Sequence, residues 1–228
     1  MNRSISGRLI AKDLYLYRWL IIAAVLIGTA ALPLMRLGPG DGVRSGVNLG
    51  MILFITNVIV LGIFIVMYGV LKERQDKTSL FILSLPVSPM QYTTAKVGAA
   101  LLAFLAPWLL LTGGTIALIL LSDTAPDGGI PSFAAMMTFF LCNFCVLLAL
   151  VLVTTSEQWA IAGILITNFS VPVFLSIVLN LPDISAFRRA EAAVWSPTVL
   201  AIIAISLAIA ALSLTLAYYV QSRRKDFI

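Results

Sequence analysis

The sequence predicts an all-α, polytopic membrane protein with six transmembrane helices and a preceding N-terminal amphipathic helix. Hydrophobic residues make up 61% of the 228 positions and charged residues only 11%, with a mean hydropathy of +1.04. Soluble domains are about half apolar and about a quarter charged. The apolar residues also fall in runs long enough to cross a bilayer, and the stretches between them are too short for a soluble domain. We therefore expect a single transmembrane domain over residues 1–228.

The N-terminal segment 2–18 mixes basic and apolar residues. Ile10, Leu14 and Tyr17 recur in it at helical spacing, which predicts an amphipathic helix at the membrane interface. Six apolar runs follow, each close to the length that a transmembrane helix needs. The predicted spans are 19–35, 48–71, 95–122, 133–154, 159–181 and 197–220.

The segments between the spans are rich in turn-forming and polar residues. Gly and Pro punctuate 36–46 and 123–132, and 182–196 is a longer polar loop. Segment 72–94 differs from these loops, because a charged cluster at its beginning is followed by a short apolar run that ends at Pro86. A short amphipathic helix in this segment would place its apolar side on lipid headgroups or on a docked partner protein.

The basic residues predict which side of the membrane each segment occupies. Six spans put both termini on one side, and that side then holds most of the 15 Lys and Arg residues. The exceptions are Arg36, Arg44, Arg188 and Arg189. Because positive residues concentrate on the cytoplasmic side, the pattern predicts that both termini and segment 72–94 are cytoplasmic.

The composition argues against several functions for this chain. The sequence has no histidine, no nucleophile paired with a base, no carboxylate cluster for a metal and no GxxxxGK[ST] phosphate loop. No predicted span carries a charged residue in its middle third, whereas ion-coupled carriers usually do. No basic run is interleaved with stacking aromatic residues, which argues against nucleic acid binding. Cys142 and Cys145 lie in an apolar run and are interpreted as small hydrophobic residues.

Neutral polar residues inside the spans are the candidates for a substrate path. They are Thr56, Asn57, Asn143, Asn168 and Ser170. An asparagine in hydrocarbon must find hydrogen-bond partners, so these side chains are expected to face protein or a wet cavity. Hydrogen bonds between helices are favoured over a substrate path at any single position, and both interpretations stay open.

Segment 72–97 also resembles a known family. Its similarity to the first cytoplasmic loop of type 2 ABC-transporter permeases rests on Glu73, Lys77-Thr78, a leucine-rich turn, Ser84-Leu85-Pro86-Val87-Ser88 and Lys96. The tail Arg223-Arg224-Lys225-Asp226-Phe227 is similar to basic endings common in that family. Thr78-Ser79 stands where many members have Gly-Thr or Thr-Leu, and the large extracellular domain of some members is absent. The haem-exporter B subunits of cytochrome c maturation share the style of this loop and the chain size.

The resemblance implies that the loop forms a coupling helix, which docks into a groove on a separate ATP-binding subunit. The residues implied in this contact are Glu73, Lys77, Thr78, Leu80, Phe81, Leu83, Leu85 and Pro86. It further implies two permease chains, as a homodimer, with two ATPase subunits in a bacterial plasma (inner) membrane. ATP and Mg would be bound by the ATPase, and this chain would hold no cofactor and no catalytic site.

On this resemblance, the chain is expected to be the permease subunit of an ABC exporter. Its substrate would be hydrophobic or amphipathic, such as a lipid, a peptide or a drug. Two other interpretations remain. One is a membrane scaffold or assembly factor that recruits a soluble partner through its cytoplasmic loop. The other is a secondary carrier, against which the neutral span centres argue.

Overall fold

The computed structural model describes residues 3–36, 49–71, 89–122, 126–154, 156–188 and 190–223. Its described residues form seven α-helices: α1 Arg3–Arg36, α2 Leu49–Val66, α3 Pro89–Leu120, α4 Gly129–Val153, α5 Glu157–Val178, α6 Pro182–Ser185 and α7 Pro197–Arg223. A π-helical turn, Met67–Leu71, continues α2. Over these ranges no residue lies in a strand, and six of the helices are long and apolar enough to cross a membrane. The predicted all-α fold with six spans is confirmed.

The N-terminal helix is also confirmed, and it continues without a break into the first span. α1 is 34 residues long, which corresponds to about 51 Å at 1.5 Å per residue. A bilayer with its headgroups is about 40–45 Å thick. No Gly or Pro lies between Gly7 and Gly28, so nothing in the local sequence interrupts the helix where the amphipathic segment meets the apolar run.

The described chain divides into two compact units, and the first comprises Met1–Leu111 with Gln221–Ile228. In this unit α1 packs along α2. Phe54, Val58 and Ile65 are buried side chains of α2. A Cβ added at Gly50 would overlap the backbone of α1 at Leu34, so the missing side chain allows the two helices to approach closely there. Small residues allow such close approach between helices in membranes.

The second unit is Thr112–Val220, in which α4 packs against α5. The rings of Phe139 and Phe174 stack across this contact with their centroids 3.8 Å apart. A small apolar cluster, which includes the α6 residue Ile184, joins the ends of α4, α5 and α7. The backbone N–H of Gly128 donates to the carbonyl of Ala190 at 3.0 Å, and this bond ties segment 123–132 to segment 182–196.

The beginning of α3 bears on function. α3 begins at Pro89, where a proline fits the first helical position because the N–H it lacks has no helical partner there. Residues 89–94, which the sequence analysis assigns to the loop, are therefore helical. The rest of that loop, residues 72–88, lies outside the described residues.

Candidate coupling site

A buried ion pair joins α1 to the beginning of α3. Nζ of Lys96 donates to Oδ2 of Asp13 at 2.7 Å, and the side chains are only 6% and 3% exposed. Acidic and basic side chains are almost never fully buried unless they are paired. Nζ of Lys12 lies 3.5 Å from the other carboxylate oxygen, and the ring of Tyr92 lies 5.8 Å from the Lys96 ammonium. The pair therefore fixes the first turns of α3 against α1.

One turn further along α1, Tyr17 contacts the end of α2. Its hydroxyl donates to the carbonyl of Ile65 at 3.4 Å. A Cβ added at Gly69, in the π-helical turn, would overlap this hydroxyl. Gly69 therefore leaves the space that the buried phenol occupies. Single π-helical turns occur frequently at functional sites, and this one comes immediately before segment 72–88.

Together, these contacts hold the end of α2 and the first turns of α3, the two helices that the segment connects. Asp13 and Tyr17 are four residues apart, so they lie on one face of α1. Asp13 holds Lys96 after the segment, and Tyr17 holds Ile65 and Gly69 before it. We call this set, Asp13, Tyr17, Ile65, Gly69 and Lys96, the stem contact. A displacement of the end of α2 or of the first turns of α3 must move α1 or break a buried polar interaction.

The residues predicted to contact an ATPase all lie outside the described residues. They are Glu73, Lys77, Thr78, Leu80, Phe81, Leu83, Leu85 and Pro86. Sequence reasoning identified Lys96 only as part of the family resemblance and missed Asp13 and Gly69. One signal was present, since Asp13 lies on the apolar face that Ile10, Leu14 and Tyr17 define. Buried charges are usually paired. A single acidic residue on the apolar face of one helix and a single basic residue at the start of another therefore indicate an ion pair between the two helices.

Among the candidate path residues of the first unit, Asn57 bonds to a neighbouring helix. Its Nδ2 donates to the carbonyl of Ala24 at 2.9 Å, near the place where Gly28 of α1 leaves space beside Leu111. Thr56, its neighbour in the sequence, is exposed. Asn57 therefore links α2 to α1, while Thr56 points away from the packed interior of the chain.

In the second unit, Asn143 and Ser170 lie together between α4 and α5. Nδ2 of Asn143 donates to Oγ of Ser170 at 3.1 Å and to the carbonyl of Thr167 at 3.4 Å. The Ser170 hydroxyl lies 3.3 Å from Oδ1 of Asn143 and 2.7 Å from the Thr167 carbonyl. Asn168 differs, because its Nδ2 donates to the carbonyl of Ile164 within its own helix at 2.8 Å.

We expect Asn143→Leu to destabilise the permease by about 1–2 kcal/mol, since it breaks hydrogen bonds between helices in the bilayer. Asn168→Leu serves as the matched control, and its effect should be smaller because only a bond within one helix is lost. The thermal midpoints of the purified variants in detergent test this expectation. Equal midpoints for the two variants would contradict the role given to the Asn143–Ser170 contact.

Neither unit displays a metal site in its described part. No group of three or more His, Cys, Asp or Glu side chains is close enough there to hold a metal ion. Cys142 and Cys145 are buried free cysteines of α4, in agreement with their interpretation as small core residues.

The six long apolar helices define a multi-pass membrane protein. The family model described as "ABC-2 family transporter protein" matches residues 15–183. The chain belongs to this family and is therefore a membrane permease of an ABC transporter, a transport subunit that partners with an ABC ATPase. The resemblance to type 2 ABC permeases is thereby confirmed. No curated protein and no solved structure shows significant similarity to the chain.

Proposed function

We propose that this permease belongs to an exporter, which moves a hydrophobic or amphipathic substrate out of the cytoplasm with ATP hydrolysed by a separate subunit. The observation that supports its coupling to an ATPase is the stem contact. A coupling segment must pass the motion of the ATPase to the transmembrane helices. The helices on both sides of segment 72–88 are held by α1 through Asp13 and Tyr17, so a push on this segment would reach three helices together.

The buried chemistry of the stem contact suits this transmission. Separating Lys96 from Asp13 would leave two charges without partners in a site that excludes water, at a cost of several kcal/mol. The Tyr17 hydroxyl fits against the π-helical turn because Gly69 has no Cβ. If the turn slid along α1, a residue with a side chain would meet the Tyr17 ring instead. Stiff contacts of this kind favour movement of α1, α2 and the first part of α3 together over separation of these helices.

The proposed partner contact uses the loop residues that the family resemblance identifies. Leu80, Phe81, Leu83 and Leu85 would enter the groove of the ATPase as apolar anchors, and charged residues such as Glu73 would lie at the rim. Two ATPase subunits would bind two copies of this chain and would hold ATP and Mg. The substrate path would lie where the two copies meet.

The substrate class follows from the polarity of the spans. Their centres carry amides and hydroxyls but no charge, and a largely apolar path with few polar groups suits lipids, amphipathic peptides or hydrophobic drugs. Substrate-stimulated ATPase activity of the reconstituted complex with each of these three classes would identify the substrate.

The experiment that tests the coupling role replaces Phe81 with Ala. Truncation of a central aromatic anchor commonly costs ~2 kcal/mol or more, which is roughly a thirtyfold loss of affinity for the ATPase. We expect substrate-stimulated ATPase activity and co-purification of the ATPase to fall together. Expression of the permease should be unchanged because Phe81 lies between the spans.

Glu73→Lys is the comparison for Phe81→Ala. At a solvated rim a charge reversal has a small effect that shrinks as salt screens it. Full stimulated activity and full retention of the ATPase in the Phe81→Ala variant would remove the coupling role of this segment. A scaffold that binds a soluble partner elsewhere would then become the better explanation.

The proposed orientation places both termini and segment 72–88 in the cytoplasm. A single cysteine introduced at Asp76 should be unreactive toward an impermeant thiol reagent in intact cells, whereas one at the exposed Ala186 should react. The native Cys142 and Cys145 are buried and would be replaced by Ala. The reverse labelling pattern would show that the permease has the opposite orientation.

A further inference from the structure

α1 has two different faces along its N-terminal half. The face that packs against the rest of the chain carries Asp13 and Tyr17, both buried. The opposite face carries Arg8, Lys12, Tyr15 and Trp19, at helical spacings of four, three and four residues. All of these side chains are exposed, and Arg18 lies beside them. We call these residues, Arg8, Lys12, Tyr15, Arg18 and Trp19, the basic–aromatic face.

Arg18 is held in place by its aromatic neighbours. Its guanidinium carbon lies 3.8 Å from the ring centroid of Tyr15 and 5.4 Å from that of Trp19. An arginine that stacks through its flat face keeps its N–H donors at the edge of the plane, where they match the geometry of a phosphate. The two rings nevertheless remain 62% and 68% exposed, so they are accessible to a lipid.

The position of this face along α1 matches the headgroup layer of a membrane. Trp19 is the residue at which the apolar run of α1 begins, and Tyr and Trp are enriched at this depth. The axial distance from Lys12 to Trp19 is about 10 Å at 1.5 Å per residue, and the headgroup layer on each side of a bilayer is about 5–8 Å thick. Long basic side chains readily bridge the small difference.

The charge of this face is positive. Within residues 7–19 the only acid is Asp13, and its carboxylate is buried against Lys96 on the other face. Lys12 lies 3.5 Å from that carboxylate but keeps a 44% exposed side chain. A surface with two exposed aromatic rings and several cations complements a lipid that has a negative headgroup above its glycerol esters and apolar acyl chains.

We propose that the basic–aromatic face binds an anionic phospholipid of the leaflet at this end of α1. Lys12 and Arg18 contact the phosphate and the acidic headgroup, and Tyr15 and Trp19 cover the glycerol and upper acyl region. A zwitterionic lipid has no net charge to complement the face and binds more weakly. The lipid thereby holds the helix whose opposite face makes the stem contact. This inference does not depend on the direction of transport or on which side of the membrane the termini lie.

The test is native mass spectrometry of the full chain, purified in detergent and titrated with dioleoylphosphatidylglycerol or dioleoylphosphatidylcholine. The wild-type chain should retain the anionic lipid more tightly, and 0.5 M salt should reduce the preference. Each basic residue near an anionic surface contributes roughly fivefold in binding. The Lys12→Gln/Arg18→Gln variant should therefore lose about 25-fold in affinity for the anionic lipid, with its affinity for phosphatidylcholine unchanged.

Arg223→Gln is the matched control, since it removes an exposed charge at the end of α7, outside the basic–aromatic face. It should lose fivefold or less. Arg18→Lys keeps the charge but loses the planar stack, so it should fall between the wild-type chain and the double variant. Addition of 10 mM inorganic phosphate should not displace the lipid, because a free ion leaves the aromatic rings uncovered.

Three results would overturn the proposal. The first is equal retention of the two lipids by the wild-type chain, and the second is an equal loss in the double variant and in Arg223→Gln. The third is a change in the number of chains per particle in the double variant, which would make the face a contact between permease copies. The thermal midpoint of each variant verifies that it is folded. If the double variant is unfolded, the affinity of Arg18→Lys for the anionic lipid tests the proposal in its place, and an affinity equal to that of the wild-type chain would contradict it.

Discussion

Lys96→Met should destabilise the folded permease by about 3–5 kcal/mol, because it leaves the Asp13 carboxylate buried without its partner. The ammonium group lies 2.7 Å from that carboxylate and both side chains are almost inaccessible to solvent. Methionine keeps the length and volume of the lysine stem, so the loss comes from the charge and its hydrogen bond. The thermal midpoint of the purified variant measures the effect, with a fall of at least about 6 °C expected.

Two further variants separate the buried pair from its surroundings. Lys12→Met removes a cation from the same carboxylate, but Lys12 is substantially exposed, so its loss should cost less than about 1 kcal/mol. The double variant Asp13→Leu/Lys96→Met removes both charges and should recover most of the stability. If the stem contact transmits motion, this double variant will be stable and yet poorly stimulated by substrate. A Lys96→Met variant with the wild-type midpoint would refute the buried pair.

Gly69→Leu should be the second most damaging change, at about 2–4 kcal/mol, from overpacking together with loss of a buried hydrogen bond. A side chain at this position would overlap the Tyr17 hydroxyl, which donates to Ile65. Either Tyr17 leaves its site or the π-helical turn moves away from α1. Both outcomes disturb the end of α2, so we expect weaker substrate stimulation of the ATPase as well as a lower thermal midpoint.

A volume-exchange variant and a control glycine test the cause of this effect. Gly69→Leu/Tyr17→Ala places the new side chain in the space of the removed ring, and it should be more stable than Gly69→Leu alone. Gly113→Leu makes the same substitution in α3 at a glycine where an added Cβ meets nothing within 4 Å. It should leave the midpoint nearly unchanged. No difference between Gly69→Leu and Gly113→Leu would contradict the close approach of Tyr17.

The helices were predictable from the sequence because each apolar run carries its own signal. The runs around Phe54 and Phe140, for example, are long and uncharged, and they form α2 and α4. The sequence does not predict the continuity of α1, because the change from a mixed to an apolar composition at Arg18 and Trp19 indicates a boundary. Composition changes there, but the backbone has no reason to stop being helical.

The stem contact could not be read from spacing along the chain. Asp13 and Lys96 are 83 residues apart, and no local pattern states that their faces meet. The three span asparagines give a similar case. Asn57 and Asn143 bond to other helices, whereas Asn168 bonds to its own. Their sequence surroundings are equally apolar, and only the position of the neighbouring helix distinguishes them.

The unbroken length of α1 has a mechanical consequence. Arg3 and Ala24 are separated by about 31 Å along the helix axis. A tilt of about 10° around Ala24 would therefore displace the N-terminal end sideways by about 5 Å, while the residues near the pivot hardly moved. α1 has the proportions of a lever whose long arm carries Asp13 and Tyr17. A small rotation of α1 inside the membrane would therefore produce a large displacement of its N-terminal end at the membrane surface.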